Sequence, residues 1–265
     1  MKRIFLVFVP LLFLATACTE DLASLNVETK KPATIPAPTL FSSAVKSLAG
    51  NLATASVNTN VFRFTTSQWA MAVYQDEAQY DFATRAIPNT WWSGMYRDVL
   101  ADLRESSRLI SADATLLPKE KANKLAILDI MEVYTFSILV NTFGNIPYTE
   151  ALNSAKLFPK YDDAKTVSTD LIARLNNDLS KLDASGAGFT ASEDVVYKGS
   201  VAKWAKFANT LRMKLGMVLA DVDANAAKSA IEASDAGAIS ASSDNGLFTY
   251  LSASPNQNPL HVDIV

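Results

Sequence analysis

Apolar side chains recur every three or four positions through most of the chain after residue 39. This spacing lines one face of an α-helix, so the pattern predicts a chain built largely from amphipathic helices. The clearest stripe comprises Tyr96, Val99, Leu100, Leu103, Ser107 and Ile110. It predicts a helix that ends before Pro118, and Pro118 suits the first turn of the next helix. Polar residues are sparse across residues 125–140, which predicts a helix buried on most sides.

Two further helices are predicted in the second half of the chain. One begins with Asp162 or Asp163 as its N-cap. Its apolar face comprises Val167, Leu171, Leu175, Leu179 and Leu182. The other begins near Ser200. Its apolar stripe comprises Trp204, Ala208, Leu211, Leu215 and Val218, and its solvated basic residues comprise Lys203, Lys206, Arg212 and Lys214.

The remaining segments complete a prediction of an all-α fold. Earlier helices are expected over residues 40–57 and 66–79, and residues 248–252 are the best candidate for a short strand. Successive amphipathic helices joined by loops predict αα-hairpins, which must stack to bury both of their faces. No fixed sequence period is visible, so the periodicity alone does not identify a repeat protein.

Composition narrows the possible chemistry. With 265 residues, 49% hydrophobic and 19% charged, the chain can bury one or two cores. A single cysteine and a single histidine, His261, argue against disulfide scaffolds, zinc fingers and histidine-based catalysis, and His261 is expected at the surface. A formal charge of −3 does not create a positive electrostatic potential that would attract a polyanion, so no nucleic-acid partner is expected.

Local pairs of carboxylates are the remaining candidates for catalysis. They are Asp76 with Glu77, Asp129 with Glu132, and Asp162 with Asp163. Glycoside hydrolysis requires two carboxylates that face one cleft, whereas each of these pairs is interpreted as a solvent-facing stripe or a helix cap. The sequence therefore predicts a protein that is not an enzyme, with no catalytic residues, no cofactor and no metal ligands.

The N-terminus carries the pattern of an export signal. Lys2 and Arg3 precede an apolar run over residues 4–15, which is too short to span a membrane. The small residues before Cys18 resemble the cleavage site of a bacterial lipoprotein. We therefore predict a signal peptide over residues 1–17 and a lipid anchor on Cys18; the alternatives are a buried free cysteine or an ordinary secretory cleavage.

The residues after Cys18 are polar and rich in proline, which predicts a lipidated, flexible tether over residues 18–38 and a helical domain over residues 39–265. Glu20 and Asp21 resemble the acidic signal that directs lipoproteins of Bacteroidetes-type bacteria to the outer face of the outer membrane. The expected location is therefore the outer membrane, with the chain exposed at the cell surface.

Two segments are more specific than any pattern of polarity. Residues 141–152 read NTFGNIPYTEAL, and YKGS at residues 197–200 is followed by KW, KFAN, LR and Leu215. Residues 159–162 between them read PKYD. In order and spacing these segments resemble the SusD/RagB family of nutrient-binding outer-membrane lipoproteins, and the similarity extends to about Leu219. Each segment also has a purely structural interpretation as a helix stop or a helix core, so the resemblance identifies relatives without identifying a ligand.

The resemblance implies an all-helical scaffold with tetratricopeptide-like helix pairs. Such a protein lies as a hinged lid over a SusC-like TonB-dependent barrel, captures oligosaccharide or, in some branches, peptide, and does no chemistry on it. Members of the family are considerably longer than this chain. The resemblance therefore also implies an N-terminal part of the family fold, incomplete at its C-terminus and only marginally stable in solution.

The best candidates for ligand contact lie before the first well-defined helix. Aromatic residues at this position are among those that contact glycan in the family, and a flat indole matches the apolar C–H face of a sugar. We predict that Trp91 is exposed and Trp92 partly buried, with Asn89 or Arg85 as polar companions. The alternative is that both indoles pack in the core. Weaker candidates are Trp69, Tyr74 and Tyr80.

Three functions follow from these observations. The leading one is a nutrient-binding lid for a TonB-dependent transporter. The second is a helical protein-interaction scaffold that docks on the barrel without binding nutrient. The third is a glycosidase, which the carboxylate pairs do not favour. Ligand binding by the isolated protein separates the first function from the second.

Overall fold

The computed structural model describes residues 35–56 and 58–264. The predicted signal peptide, Cys18 and most of the predicted tether lie outside these residues. The helices within the described residues are α1 (Ala37–Ala53), α2 (Phe62–Thr65), α3 (Ile87–Ser93), α4 (Ala101–Ala112), α5 (Pro118–Phe143), α6 (Ala164–Lys181), α7 (Val201–Val218), α8 (Ala224–Ser234) and α9 (Pro259–Ile264).

Short irregular helices complete this part of the chain. A π-helical segment, Gly94–Leu100, joins α3 to α4 without a break, and 3₁₀ turns lie at Glu77–Gln79, Asp235–Gly237 and Ser242–Asp244. Residues 35–56 and 58–264 contain no β-strand, only an isolated antiparallel bridge between Ile146 and Asp162. The prediction of an all-α fold is confirmed.

The predicted helix starts are observed. Pro118 occupies the first turn of α5, where its missing N–H removes no helical hydrogen bond. The Asp163 carboxylate accepts from Thr166 N at 2.9 Å and caps α6, and the Ser200 hydroxyl accepts from Lys203 N at 3.4 Å at the start of α7. Asp223 caps α8 in the same way, which the sequence analysis did not anticipate.

Helix α5 forms the centre of the core. It packs against α4 and α6, while α7 packs against α6 and α8, so neighbouring helices pair as αα-hairpins. By length and composition alone α5 could span a membrane, but 67% of its most apolar window is buried, as in a core helix. The largest fully buried side chains include Trp204, Phe41, Phe136 and Met95, which come from helices distant in the sequence.

The predicted helix over residues 66–79 is wrong. The chain leaves α2 through a left-handed Ser67 (φ 58°) and turns again at Tyr74 (φ 59°), so the segment folds back on itself. The Trp69 ring then packs edge-on against Phe64, with ring centroids 6.0 Å apart. Local aromatic packing of this kind competes with helix formation and leaves no trace in the spacing of apolar residues.

Two smaller predictions are also wrong. Residues 248–252 do not form a strand, because no strand elsewhere in the described residues pairs with them; instead the Phe248 ring contacts the Tyr250 ring, with centroids 4.8 Å apart. Arg212 is not on a solvated face but is buried between helices. Its guanidinium donates to Asn176 Oδ1 at 2.6 Å and to Ser234 Oγ at 2.8 Å, and thereby ties α7 to α6 and α8.

Candidate ligand-binding cleft

A cavity of about 460 Å³ opens beside the N-terminal end of α3. Its walls come from the segment before α2, from α2 itself, from residues 80–88, from α3 and from the end of α5. They comprise Thr59, Val61, Phe62, Thr65, Tyr80, Phe82, Ile87, Pro88, Trp91, Thr142 and Phe143. We call this set the aromatic cleft. Its volume and largely apolar lining are typical of a small-molecule site.

Aromatic rings make up much of the cleft wall. Tyr80 and Phe82 meet edge to face with centroids 6.3 Å apart, and Phe62 and Trp91 do the same at 5.2 Å. Tyr80 and Phe62 remain exposed, so part of the ring surface is open to solvent. Apolar faces beside hydroxyl groups are the surface that a sugar ring can match. The cleft hydroxyls belong to Thr59, Thr65, Tyr80 and Thr142.

One buried ion pair anchors the segment that carries Tyr80 and Phe82. Glu77 is fully buried, and both of its carboxylate oxygens accept hydrogen bonds from the Arg85 guanidinium. An unpaired buried carboxylate would be costly, so this pair fixes the two ends of the intervening loop together. The Tyr80 hydroxyl donates to Thr65 O at 2.9 Å and joins the loop to α2.

A second anchor lies inside the same loop. The Asp81 carboxylate accepts hydrogen bonds from Ala83 N and from the hydroxyl of Thr84 at 3.0 and 2.7 Å. The hydrogen bonds from Thr84 and Ala83 lower the pKa of Asp81, because they favour its charged form. The turn is therefore built with a carboxylate that stays ionised at neutral pH.

Of the two candidate tryptophans, one lies where it was predicted. Trp92 is partly buried, as expected. The prediction that Trp91 is exposed is wrong, since only 4% of its surface is exposed. The cause is a tertiary contact, because the Phe62 ring of α2 packs against the Trp91 indole of α3. The Trp91 Nε1 is buried and has no hydrogen-bond partner among the described residues.

The polar candidates take different roles. Arg85 is held by Glu77 and its guanidinium lies over the Tyr74 ring at 5.7 Å, so it supports the loop. Asn89 is exposed in the first turn of α3. Of the weaker candidates Tyr80 lines the cleft, whereas Trp69 and Tyr74 do not.

Three aromatic residues of the cleft escaped the sequence analysis. They are Phe62, Phe82 and Phe143, which come from separate parts of the chain. The density of aromatic residues between Tyr80 and Trp92 was a signal for Phe82 alone.

The carboxylate pairs have structural partners. Arg174 donates through Nε to Asp129 at 3.1 Å and through Nη2 to Glu132 at 3.2 Å. Glu132, like Glu77, is buried, so the interpretation of these residues as solvent-facing or capping groups is wrong. Asp163 caps α6 as predicted, and His261 is exposed as predicted.

The described ranges contain no group of three or more histidine, cysteine or acidic side chains arranged to hold a metal ion.

The described part of the chain is all-helical and carries an aromatic cleft at the start of α3. Residues 28–263 match the SusD-like family whose description is "Starch-binding associating with outer membrane", and the chain belongs to this family. No curated protein matches the sequence.

Solved structures share the fold at low sequence identity. One is a chitin-binding protein with 21% identity and a TM-score of 0.67, matched over 79% of this chain and 45% of its own. A SusD-like protein from Bacteroides thetaiotaomicron has 21% identity and a TM-score of 0.65 over 80% and 44%. A chitin-binding SusD homolog from Flavobacterium johnsoniae has 20% identity and a TM-score of 0.59 over 77% and 43%. The chain thus spans less than half the length of each of these structures.

Proposed function

We propose that this protein is a cell-surface nutrient-binding lipoprotein that captures oligosaccharide, with peptide as the second ligand class. The single observation that carries the proposal is the aromatic cleft at the start of α3. Membership of a family described as starch-binding supports it, as do two relatives named as chitin-binding. The ligand would lie against the exposed ring of Tyr80 and be ordered by the hydroxyls of the cleft.

The proposal extends to location and partner. Cleavage before Cys18 and attachment of two or three acyl chains to this cysteine would anchor the chain in the outer membrane, because that number of chains gives a stable anchor. Held there, the protein would act as a lid over a SusC-like TonB-dependent barrel and deliver its ligand to that barrel. Co-purification of the barrel with the tagged lipoprotein from outer membranes tests this part.

We propose binding without catalysis. In the described fold, the buried carboxylates of Glu77 and Glu132 are engaged by Arg85 and Arg174, so they are stabilised as ionic partners and do not face a common cleft. Release of no product from a glycan panel is the expected result, and turnover that tracks the purified protein would contradict it.

Calorimetry with malto-oligosaccharides, chito-oligosaccharides and peptides tests the ligand. We expect Tyr80→Ala to weaken binding of the preferred ligand at least tenfold, or by about 1.4 kcal/mol, because the ring forms part of the cleft wall. Phe158→Ala is the control. It also removes an exposed aromatic ring, and Phe158 does not line the cleft.

Equal affinities of the two variants would contradict a ligand site in the aromatic cleft.

A second function, a scaffold that docks on the barrel without binding nutrient, is favoured by one observation. Leu157 and Phe158 project from the loop before α6 at 84% and 93% exposure, as expected of a protein contact. A barrel complex that forms while no glycan or peptide binds would establish this second function.

A further inference from the structure

The loop between α5 and α6 carries an apolar tip that adds nothing to the core. Leu157 and Phe158 are 84% and 93% exposed, and every residue from 152 to 158 is exposed. Such side chains normally stabilise a fold by being buried, so two consecutive ones held in water indicate a contact outside the fold. We call Leu157 and Phe158 the apolar tip. Neither residue lines the aromatic cleft, so the tip is separate from the proposed ligand site.

Hydrogen bonds at the base of the loop fix its path. The Glu150 carboxylate accepts from Lys160 N at 3.0 Å across the loop. This bond, together with the side chain of Lys156, lowers the pKa of Glu150, so the carboxylate that closes the loop is ionised at neutral pH. Next to the loop, Asp162 N donates to Ile146 O at 2.8 Å. The apolar tip therefore projects from a fixed base and loses little conformational freedom when another surface covers it.

A lysine lies on each side of the apolar tip. Lys156 precedes the tip, and Lys160 follows it after one proline. Their ammonium groups pair with Glu150 and Asp162 at 3.4 and 3.1 Å. The two lysine side chains are 52% and 61% exposed, whereas the carboxylate partners are only 27% and 10% exposed. The positive ends of both ion pairs therefore face solvent beside the tip, and the negative ends lie closer to the protein.

Apolar side chains between solvent-facing lysines are typical of a segment that contacts a lipid surface. The apolar groups enter the boundary between headgroups and acyl chains, while the long lysine side chains reach the phosphates. Anionic lipids attract such lysines at short range. Pro159 suits this environment because it has no N–H, so its position adds no backbone donor that lipid would leave unpaired.

The size of the tip favours lipid over protein as the occupant. A large apolar side chain supplies at most about 250 Å², whereas a standard protein interface needs about 800 Å² from each partner. A protruding pair of residues also needs a complementary pocket on a protein, but it needs none on a lipid surface. The proposed anchor on Cys18 would keep such a surface within reach of the chain at all times.

We propose that the apolar tip is a membrane-contact site, in which Leu157 and Phe158 enter an anionic lipid surface at headgroup level and Lys156 and Lys160 contact its phosphates. A lipid anchor alone leaves the orientation of a protein at the membrane free, and this second contact would restrict it. The inference rests on the lipid anchor of the proposed function and adds a lipid-binding site in a separate part of the fold.

Spin labelling of the lipidated protein in vesicles tests the tip. Cys18 is the single cysteine of the chain, and lipid attachment would occupy its sulfur, so an introduced cysteine is the one free thiol. Phe158→Cys carries the nitroxide at the tip. Leu247→Cys is the matched control, because Leu247 is an apolar residue that is 64% exposed outside this loop. The vesicles contain phosphatidylcholine with or without phosphatidylglycerol.

The accessibility of each label to two quenchers gives the result. Oxygen concentrates in the hydrocarbon and a nickel chelate stays in water. With phosphatidylglycerol present, we expect oxygen to reach the label at position 158 more readily than the chelate does, and the reverse at position 247.

Lys156→Gln combined with Lys160→Gln, in the Phe158→Cys protein, tests the electrostatic part. Loss of these lysines should shift the label toward water by at most about fivefold per lysine, and only when phosphatidylglycerol is present. Lys228→Gln is the control, because Lys228 is an exposed lysine of α8. It should leave the accessibility at position 158 unchanged.

Three results would overturn the inference in distinguishable ways. A label at position 158 that is as accessible to the chelate as the label at position 247 would overturn it and leave the lipid anchor intact. Shielding that appears only when the SusC-like barrel is reconstituted in the same vesicles would identify a protein contact instead. A purified protein that carries no acyl chain by mass spectrometry and stays in solution would overturn the proposed anchor together with this inference.

Discussion

Helix α7 and the segment of residues 58–86 are stabilised in different ways. In α7, apolar residues at regular spacing are buried against α5, α6 and α8, and Trp204 is fully enclosed. Residues 58–86 contain only a four-residue helix and one 3₁₀ turn, together with left-handed residues at Ser67, Tyr74, Tyr80 and Ala86. The stable part of the molecule is regular, whereas the part that forms the cleft is irregular.

This difference predicts which substitutions destabilise the whole fold and which affect only the cleft. Burial of many apolar contacts makes α7 part of the cooperative core, so damage there lowers the stability of the whole fold. The segment of residues 58–86 depends on few contacts, chiefly the pair of Glu77 and Arg85. A substitution in this segment should open the cleft without unfolding the helices.

Trp204→Ala should have the largest effect. The change removes a fully buried indole and leaves the buried Asp194 carboxylate without the indole N–H that donates to it at 2.8 Å. We expect a loss of about 3–5 kcal/mol in the free energy of unfolding, measured by chemical denaturation. Trp69→Ala, in the irregular segment, is the control and should cost about 1 kcal/mol or less, because Trp69 is only half-buried.

Similar losses in the two tryptophan variants would contradict the division into a stable and an irregular region. Trp204→Phe should lie between them, because it keeps an apolar ring but still removes the donor to Asp194.

Glu77→Gln should have an intermediate effect confined to the cleft. We expect a local cost of about 2 kcal/mol, below the roughly 3–5 kcal/mol of a fully buried pair, because the Arg85 side chain is 22% exposed. Faster amide hydrogen exchange across residues 66–86, with little change in the helices, would be the signature. Ligand affinity should fall in parallel.

Glu105→Gln is the control for this change. It breaks the surface pair with Arg108, which is exposed and lies within one turn of α4. Surface pairs contribute little, so neither exchange nor affinity should change. Global unfolding of the Glu77 variant would show that the irregular segment is part of the cooperative core after all.

Asp178→Asn should have the smallest effect and the opposite sign. Asp178 is buried on α6, and its Oδ2 has no hydrogen-bond partner in the part of the chain that the structure describes. Burial and the neighbouring Asp129 carboxylate raise the pKa of Asp178 above its usual range. Between its unfolded pKa and its raised folded pKa the folded state retains a proton that the unfolded state has lost, so stability falls as the pH rises.

The asparagine side chain is neutral and should remove this dependence. We expect it to stabilise the fold by about 1–2 kcal/mol near pH 7. The melting temperature of the wild type should decrease between about pH 5 and about pH 8, and that of the variant should decrease less. Identical pH profiles for both proteins would show that Asp178 is not protonated in the folded state.

The sequence predicted the regular part of this fold well. Proline at the start of α5, Asp163 at the start of α6 and Ser200 at the start of α7 act through local chemistry, and the apolar stripes of these helices have the correct period. Arg212 shows the limit of that reasoning, because only the approach of α6 and α8 decides that its guanidinium is buried.

The cleft was harder to predict because its walls come from segments that are distant in the sequence and make contact only in the folded protein. Trp91 and Trp92 marked the correct region, but α2, which is brief and carries no periodic signal, decides that Trp91 is covered. Phe143 ends α5 and reaches the cleft only through the packing of α5 near α3. The spacing of apolar residues predicts the buried face of a helix, but it does not predict tertiary contacts between distant segments.

The central claim is that the irregular segment and α3 together form the ligand site. A crystal structure of the protein with a bound oligosaccharide tests it most directly. The account predicts ligand density in the aromatic cleft, against Tyr80 and Phe82. Density at another location, such as the separate cavity of about 330 Å³ beneath Phe248 and Tyr250, with the aromatic cleft empty, would contradict the account.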